Sequence, residues 1–499
     1  MKNKKVTLLN MVSGLVLQAL VILGGFIIPR IILVYFGSEM NGLVSTLNQF
    51  LSFVSLVEGG ITGVIIANLY KPIVDEDKAK ISSVLVTAKC FYRRISYVFI
   101  AYTLVFAFLH PLIFHVEYSY WYVFFLTLIL SVDLLVQYMF SLTLKTLLNA
   151  SKRGYVVSIT QSIIVVLNIV LVCVSVKVYP SIHVLKLISG VLFILQPVFF
   201  GRYVAKEFDI DWKSHPDTSL VKERWNGFAI NIAAFVHNST DIAILSIMTD
   251  MKTVSVYGVY ALVVNGIKEL IMSGLSGVSH TVGLAYAKGD WEEVNWKLDI
   301  YEFIVFILVS FLYTVTALLI TSFVMLYTRE ITDANYNQPI FGLLIVVSEA
   351  LYLVKLPHLD LSYSANKFKD ITWAAFAEAA INIVVSIILV YKLGLIGVAV
   401  GTILAMLFRL IFHVRFTGKI VEGRSQYRFF GKLLAFALTS IVSYCVCYFE
   451  FPLKGLSVQS WLVHGVLYSA ITGFFLILLS AVGFRRELVF FFGYLRDRG

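Results

Sequence analysis

Long apolar runs recur along this 499-residue chain and constrain its fold more than any other feature. A helix that spans a bilayer needs about 20 apolar residues. Runs of that length, separated by short charged loops, extend from Leu9 to Phe484. The composition agrees, because 59% of the residues are hydrophobic, only 14% are charged, and the mean hydropathy is +0.86. This excludes an ordinary water-soluble enzyme and predicts an all-α polytopic membrane protein.

The apolar runs, delimited by charge clusters and turn residues, predict about fourteen membrane-spanning helices. Their predicted bounds are 9–36, 42–69, 95–115, 120–148, 155–178, 182–203, 227–249, 254–281, 300–326, 337–362, 370–391, 394–414, 432–450 and 458–483. Between the second and third spans, residues 77–94 have an apolar side and a basic side. We predict that this segment is an amphipathic helix lying at the cytoplasmic interface.

The distribution of basic residues predicts the orientation of the helices. The net charge is +10, from 40 Lys and Arg against 30 Asp and Glu, and the excess lies mostly in loops on the side of the lysine-rich N-terminus. By the positive-inside rule both termini are then cytoplasmic. Topology therefore accounts for the basic charge, and we expect no nucleic-acid partner. The four cysteines show no metal-ligand spacing, so no metal site is expected.

An internal repeat accompanies the helices. A shift of about 216 residues brings Gly42 onto Gly258 and Asp133 onto Glu349. Corresponding helices are six spans apart, so both halves have the same orientation in the membrane. We predict two pseudo-symmetric six-helix bundles plus a C-terminal helix pair, the architecture of a transporter, although hydrophobic helices also resemble one another by composition. The predicted domains are the bundle 1–204, a cytoplasmic linker 205–226, the bundle 227–415, and helices 13 and 14 with a cytoplasmic tail in 416–499.

Ionisable residues occur inside the predicted spans, where each costs about 2.5–3.5 kcal/mol on insertion scales and therefore suggests a function. The candidates are Arg30, Glu58, Asp133, Asp241, Lys268, Glu269, Glu349, Lys355 and Glu378. On span seven, Asn231, Asn238 and Asp241 share one helical face, which we predict to line water. On span eight, Asn265 lies on the same side of the helix as Lys268.

The strongest candidates also have structural alternatives. Lys268 either faces an anionic substrate or neutralises Asp241 or Glu269 in a buried pair that holds two helices together. Asp133 and Glu349 either bind an ion or serve as structural partners of neighbouring polar groups. The sequence alone leaves these alternatives open.

The remaining charges are expected to have other roles. Arg30 either faces a cavity or extends to the outer interface. Glu378 is expected to contact a neighbouring helix, and Arg409 and His413, near helix ends, are expected to extend to the membrane surface. Pro357 predicts a kink in span ten.

Several stretches of the chain resemble those of a known family. The stretch PRIILVYFGSEMNGLVSTLNQFLSFVSLVEGGI from Pro29, the LYKP exit of span two, the two related halves and the extra C-terminal pair are similar to those of bacterial polysaccharide and oligosaccharide-lipid flippases. These belong to the multidrug/oligosaccharidyl-lipid/polysaccharide exporter superfamily. The resemblance implies a V-shaped central cavity that opens alternately to either side. It also implies an undecaprenyl-diphosphate-linked sugar unit as substrate, moved to the outer leaflet of the cytoplasmic membrane for surface polysaccharide assembly.

The resemblance gives roles to the polar residues. Cations bind diphosphate by charge-assisted hydrogen bonds, and the candidates are Arg30, Lys268 and Lys355. Sugar hydroxyls need polar partners, for which the candidates are Asn231, Asn238 and Asn265. Binding of a proton or sodium ion is assigned to Glu58, Asp133, Asp241 and Glu349. We expect no catalytic residue and no cofactor, and the expected partners are membrane lipids, a polysaccharide polymerase and glycosyltransferases.

Four other functions remain open, one of them a non-transporting scaffold for glycosyltransferases or polymerases. A lipid II flippase shares the architecture and differs mainly in the headgroup that it moves. A drug/cation antiporter of the same superfamily fits less well. The resemblance implies twelve spans and an acidic residue in the first helix for such antiporters, whereas this chain has fourteen predicted spans and no acidic residue in span one. An integral-membrane glycosyltransferase or polymerase usually exposes a sizeable catalytic loop, whereas the longest loop here is Arg202–Trp225.

Overall fold

A computed structural model describes residues 2–58, 60–114, 116–217, 235 and 239–496, and every regular element within them is helical. The helices are α1 (Lys2–Leu51), α2 (Val54–Glu58), α3 (Ile61–Val74), α4 (Lys78–Ile113), α5 (Tyr120–Val136), α6 (Leu142–Ala150), α7 (Gly154–Val178), α8 (Ile182–Phe193), α9 (Leu195–Glu207), α10 (Ser239–Met248), α11 (Met251–Lys288), α12 (Trp291–Tyr327), α13 (Pro339–Val354), α14 (Leu356–Ser364), α15 (Phe368–Leu393), α16 (Leu395–Ile420), α17 (Gln426–Glu450), α18 (Val458–Gly483) and α19 (Arg485–Arg496). A π-helical turn, Gln137–Ser141, joins α5 to α6.

Twelve helices in the described part of the chain are long and apolar enough to cross a membrane, and α3 and α10 are shorter apolar helices. Helices suit this setting because they satisfy their own backbone hydrogen bonds where water is absent. The predicted all-α polytopic fold is confirmed. Part of the predicted seventh span, 227–249, lies outside the described residues, and α10 lies in its described end.

The first helix, α1, contains more than one predicted span. Its 50 residues extend about 75 Å at 1.5 Å per residue, far beyond a hydrocarbon core of about 30 Å. Gly37 interrupts the helix with a φ of 81°, a value that residues with a Cβ rarely adopt. Predicted span one therefore lies wholly in α1, and predicted span two begins in α1 and continues beyond it. Gly60, with a φ of 78°, precedes α3.

The chain divides into two compact units. Unit 1 comprises Met1–Phe235 with Thr249–Ser255, and unit 2 comprises Val236–Met248 with Val256–Gly499. The domain borders at 204, 226 and 415 stay predictions. In unit 2 the C-terminal helices α17 and α18 pack against α12, and α15 packs along α16.

The predicted repeat is visible in the local geometry of the helix connections. Asp77 caps α4 by accepting a hydrogen bond from the Lys80 amide at 2.9 Å. Asp290 caps α12 through the Glu293 amide, also at 2.9 Å, 213 positions further along the chain. The residues before both caps have positive φ, 55° at Glu76 and 73° at Gly289. Because the two halves repeat turn geometry as well as hydropathy, a resemblance of composition alone does not explain them.

The separate interfacial helix predicted over 77–94 is wrong. The structure has one continuous helix, α4, from Lys78 to Ile113, because no proline or glycine occurs before Pro111 to break it. The segment 208–217 lies along the first half of α4. Its contacts include the ion pair of Lys80 with Asp217 at 3.1 Å and the hydrogen bond from the Asp211 amide to Ser82 at 3.0 Å.

Spans four and ten are interrupted at corresponding positions of the two halves. In unit 1 the interruption is the π-helical turn that begins at Gln137. In unit 2 the helix breaks at Lys355, between α13 and α14, two residues before Pro357. The predicted kink at Pro357 is therefore confirmed. Such interruptions are frequent at functional sites because they redirect side chains and free backbone groups.

Candidate functional site

Lys268 forms a buried ion pair in unit 2. Its Nζ atom, on α11, lies 3.2 Å from Oε2 of Glu349 on α13. The same Nζ atom lies 5.2 Å from the ring centroid of Tyr352, and Lys355 Nζ lies 4.3 Å from that centroid. One aromatic ring thus contacts two cations by cation–π interactions. The ion pair expected as the structural alternative for Lys268 exists, with Glu349 as a partner in place of Asp241 or Glu269.

Glu378, on α15, continues this row of charges. Its carboxylate oxygens lie 4.0 Å from Lys355 Nζ and 3.0 Å from Arg409 Nη1. Arg409 Nε in turn donates to His413 Nε2 at 2.7 Å. The predicted contact of Glu378 with a neighbouring helix is confirmed. The expectation that Arg409 and His413 extend to the surface is wrong, since only 3% and 0% of these residues are exposed.

We call Lys268, Glu349, Lys355, Glu378 and Arg409 the cation chain. Three cations and two carboxylates alternate along it, and all five residues are buried. Removing a charge from water costs several kcal/mol, which is compensated only when opposite charges lie close by. Among these five residues the balance is one positive charge in excess. The cation chain therefore offers a buried group with a net positive charge that can attract an anion.

Asp241, on α10, is surrounded by neutral oxygen and nitrogen donors from three other helices. Tyr257 donates to its carboxylate at 3.0 Å, and the Thr402 hydroxyl lies 3.0 and 3.2 Å from its two oxygens. Asn382 Nδ2 lies 3.5 Å away and also contacts Thr402 at 3.4 Å. The carboxylate and the hydroxyls of Tyr257 and Thr402 bring several oxygen atoms together, a group that suits a proton or a hard monovalent cation. Asn231 and Asn238, predicted to share the face of Asp241, lie outside the described residues.

A polar stripe runs along the membrane-spanning helix α11. Asn265, Glu269 and Ser273 follow one another at intervals of one turn, and all three are exposed. At Gly266 and Gly274 an added Cβ would meet no atom within 4 Å, so this face of unit 2 is open. A polar stripe facing lipid would be strongly unfavourable, which indicates that it lines water. The predicted position of Asn265 beside Lys268 thus places a sugar-binding candidate next to the cation chain.

In unit 1, Glu58 is the acidic candidate with the most specific surroundings. It ends α2, and its carboxylate accepts hydrogen bonds from Thr62 and, at 3.2 Å, from the Tyr138 hydroxyl. Tyr138 belongs to the π-helical turn, and Thr62 also contacts Tyr92 at 2.6 Å. The break in span two and the π-helical turn in span four therefore meet at one carboxylate.

The other two unit 1 candidates are half-buried. Arg30 follows Pro29 inside α1. Asp133 lies on α5, and its Oδ1 atom accepts a hydrogen bond from the Leu134 amide at 2.7 Å. Asp133 interacts electrostatically with Lys186, and its repeat counterpart Glu349 forms an ion pair with Lys268 at 3.2 Å. The roles of both carboxylates in ion binding stay predictions.

A second buried charge group in unit 2 was not among the sequence candidates. The charge cluster consists of Asp299, Glu302, His358, Arg424, Arg428 and Lys432. Lys432 Nζ lies 2.6 Å from Asp299 and 3.2 Å from Glu302, and Arg424 contacts both carboxylates. The sequence assigned these cations to loop topology. The available signal was the spacing of Asp299 and Glu302, which places two carboxylates on one face near the start of span nine.

An apolar groove of about 460 Å³ opens between α12, α13 and α17. Its walls include Phe306, Leu343, Ala350, Leu351 and Phe436. All three helices are candidate membrane spans. The groove can therefore accept a hydrocarbon chain at the depth of the bilayer.

These features define a polytopic membrane protein with buried charge and a water-facing polar stripe, which is characteristic of transporters. No family model and no characterised protein sequence matches the chain. Solved structures do match. The lipid II flippase MurJ in an inward closed conformation gives a TM-score of 0.72 at 15% identity, covering 97% of this chain and 100% of that one.

Multidrug transporters give further matches. An inward-facing MATE family transporter of the MOP superfamily has a TM-score of 0.58 at 14% identity, covering 82% of this chain and 96% of that one. The MATE transporter DinF-BH has a TM-score of 0.62 at 16% identity, covering 83% and 94%. The chain therefore has the fold predicted from its resemblance to the exporter superfamily.

Proposed function

We propose that this protein flips an undecaprenyl-diphosphate-linked oligosaccharide from the inner to the outer leaflet of the bacterial cytoplasmic membrane by alternating access. The observation that carries the proposal is the cation chain beside an open polar stripe, inside helices that span the membrane. The substrate serves surface polysaccharide assembly, with glycosyltransferases before this step and a polymerase after it. Both termini face the cytoplasm in this proposal.

The cation chain supplies the chemistry that a diphosphate needs. In the absence of substrate, Glu349 and Glu378 compensate the charges of Lys268, Lys355 and Arg409. A diphosphate carries more than one negative charge and accepts charge-assisted hydrogen bonds. It therefore competes with the carboxylates for the same cations. The sugars then contact the stripe that contains Asn265. Arg30, in unit 1, stays a proposed cation for the diphosphate.

Asp241 is the best-supported of the four ion-coupling candidates. An ion drives transport only if it binds the two conformations with different affinity. The partners of Asp241 come from three different helices, Tyr257 on α11, Asn382 on α15 and Thr402 on α16. Any relative movement of these helices changes the coordination of the ion. We propose that a proton or a sodium ion binds here and couples to the conformational change.

The apolar groove gives the polyprenyl tail a place to lie. Its lining residues, such as Leu343 and Leu351, belong to spanning helices, so the tail stays at bilayer depth while the headgroup crosses. A soluble drug has no long hydrocarbon tail to fill such a groove. The groove therefore favours a lipid-linked substrate over a drug.

Lipid II transport is the second candidate, because the MurJ flippase superposes over 97% of this chain. Both substrates join a sugar headgroup to a long lipid through a diphosphate, so the cation chain suits both. The headgroup alone distinguishes them.

Proteoliposomes containing the purified chain test the function directly. Undecaprenyl-diphosphate oligosaccharide or lipid II is placed in the inner leaflet, and its arrival in the outer leaflet is followed with an external glycosidase or lectin. We expect faster transfer of the oligosaccharide lipid than in protein-free vesicles. Transfer of lipid II alone would support the second candidate, and consumption of the sugar-lipid without added enzymes would contradict any transporter.

A further inference from the structure

A cavity of about 620 Å³ lies in unit 2 and shares no lining residue with the cation chain or the apolar groove. It opens where α12 and α17 begin, α18 ends and α19 begins. Its lining includes Trp296, Arg428, Lys432, Arg485, Arg486 and Glu487. Because three candidate membrane spans begin or end around it, the cavity lies at the boundary between membrane and water.

The helix α19 has the features of an interfacial helix. Val489 and Phe490 are 64% and 45% exposed on the same short helix as Arg485 and Arg486. Phe490 packs edge-on against Trp296 of α12, with ring centroids 5.8 Å apart. An amphipathic helix with exposed aromatic and basic residues lies in the headgroup region, where tryptophan is also enriched.

The charges around the cavity are unbalanced. Four basic residues line it, against the two carboxylates of Asp299 and Glu487. Lys432 is buried and held by the charge cluster, whereas the side chain of Arg428 is 66% exposed and contacts only one edge of Asp299, at 3.3 Å. Arg485 and Arg486 are exposed at the rim. The cavity wall therefore carries two positive charges in excess, with arginines free to turn towards an anion.

We propose that this cavity binds the phosphate headgroup of an anionic membrane lipid. Guanidinium groups bind phosphate oxygens in pairs, and basic pockets between spanning helices are known lipid headgroup sites. Val482, 81% exposed beside the cavity, offers an apolar surface for the acyl chains. The proposal does not rest on the proposed function, because the cavity contains no residue of the cation chain.

Native mass spectrometry of the purified full chain tests the site, with phosphatidylglycerol as the probe and phosphatidylcholine of the same chain length for comparison. The double variant Arg485→Gln/Arg486→Gln removes the rim charges. We expect about fivefold weaker phosphatidylglycerol binding for each arginine, and so about twenty-fivefold for both. A matched control is Arg415→Gln/Lys419→Gln, which removes two exposed charges from α16, outside the cavity.

A steric variant keeps every charge in place. An added Cβ at Gly431 meets no atom within 4 Å, so Gly431→Leu is tolerated by the helix but occupies the cavity. We expect at least about tenfold weaker phosphatidylglycerol binding, since the leucine excludes the headgroup. The expected pattern is loss in the double arginine variant and in Gly431→Leu, with little change in the control.

Three results would overturn the proposal. The first is equal phosphatidylglycerol binding by the wild type and both cavity variants. The second is an equal loss in the Arg415/Lys419 control, which would indicate diffuse surface charge. The third is tighter binding of glycerol phosphate than of phosphatidylglycerol, with the same dependence on Arg485 and Arg486, which would indicate a site for a soluble phosphate.

Discussion

Glu302→Gln removes one negative charge from the charge cluster and should destabilise unit 2 strongly. Glu302 is completely buried, and its carboxylate contacts Arg424, His358 and Lys432, the last at 3.2 Å. In the variant, Asp299 is the one remaining carboxylate of the cluster that faces the two buried cations. Removing one partner of a buried ion pair costs about 3–5 kcal/mol, because the other charge remains in a medium that solvates it poorly.

Glu293, on the same helix α12 as Glu302, provides a matched control. Glu293 contacts Lys297 at 2.6 Å, but both side chains are 29% exposed. Exposed pairs contribute about 0–1 kcal/mol. The assay is thermal unfolding in detergent at one fixed scan rate, since membrane proteins commonly unfold irreversibly. At about 2–4 °C per kcal/mol, Glu302→Gln should lower Tm by roughly 6–20 °C and Glu293→Gln by at most roughly 4 °C.

A second substitution separates charge from packing. Adding Lys432→Met to Glu302→Gln leaves Arg424 paired with Asp299 and removes the uncompensated lysine. The double variant should therefore recover part of the lost stability, giving a coupling free energy of about 0.5–3 kcal/mol. Equal shifts of Tm in Glu302→Gln and Glu293→Gln would contradict a stabilising role of the buried ion pairs. A double variant that loses more stability than the two single variants lose together would also contradict it.

Three further changes test the transport site in proteoliposomes. Asp241→Asn should abolish the dependence of transport on the ion gradient and lower ion-driven transport about tenfold, a factor within the usual range of coupling free energies. Unchanged dependence on the ion gradient would contradict ion binding at Asp241. Thr402→Val, which removes one oxygen neighbour of Asp241, should weaken ion affinity with the maximal rate preserved, and an unchanged affinity would exclude Thr402 as a ligand. Ala350→Trp fills the apolar groove and should slow a long polyprenyl substrate at least about tenfold more than a short-chain analogue, so equal slowing would argue against tail binding there.

The hydropathy of the sequence and the spacing of its apolar residues predicted most of the fold. Spans such as 155–178 and 458–483 agree with α7 and α18, because the cost of burying polar backbone in lipid forces each apolar run into a helix. The repeat and the kink at Pro357 were also readable, since both depend on local sequence. The prediction of a separate interfacial helix over 77–94 was wrong, because these residues begin the continuous helix α4 and pack against residues 208–217, a contact that no local pattern shows.

The candidate site was only partly readable. Lys268, Lys355 and Asp241 were identifiable because charge inside an apolar run is conspicuous. The partners of Arg409 were not, since Glu378 lies on a different helix and sequence position near a helix end suggested the surface. The charge cluster was missed for the same reason: its carboxylates on α12 meet cations more than a hundred residues away in sequence, a pairing that only tertiary packing creates.

Transfer of an undecaprenyl-diphosphate oligosaccharide by Lys268→Gln/Lys355→Gln tests whether the cation chain carries the diphosphate. The assay compares its rate in proteoliposomes with that of the wild type and of Lys288→Gln, a control whose lysine side chain is 66% exposed on the same α11. We expect at least about a hundredfold loss in the double variant, from two charge-assisted interactions of about 1.5–3 kcal/mol each, and no change in the control. Wild-type transfer by a folded double variant would contradict the role of the cation chain in carrying the diphosphate.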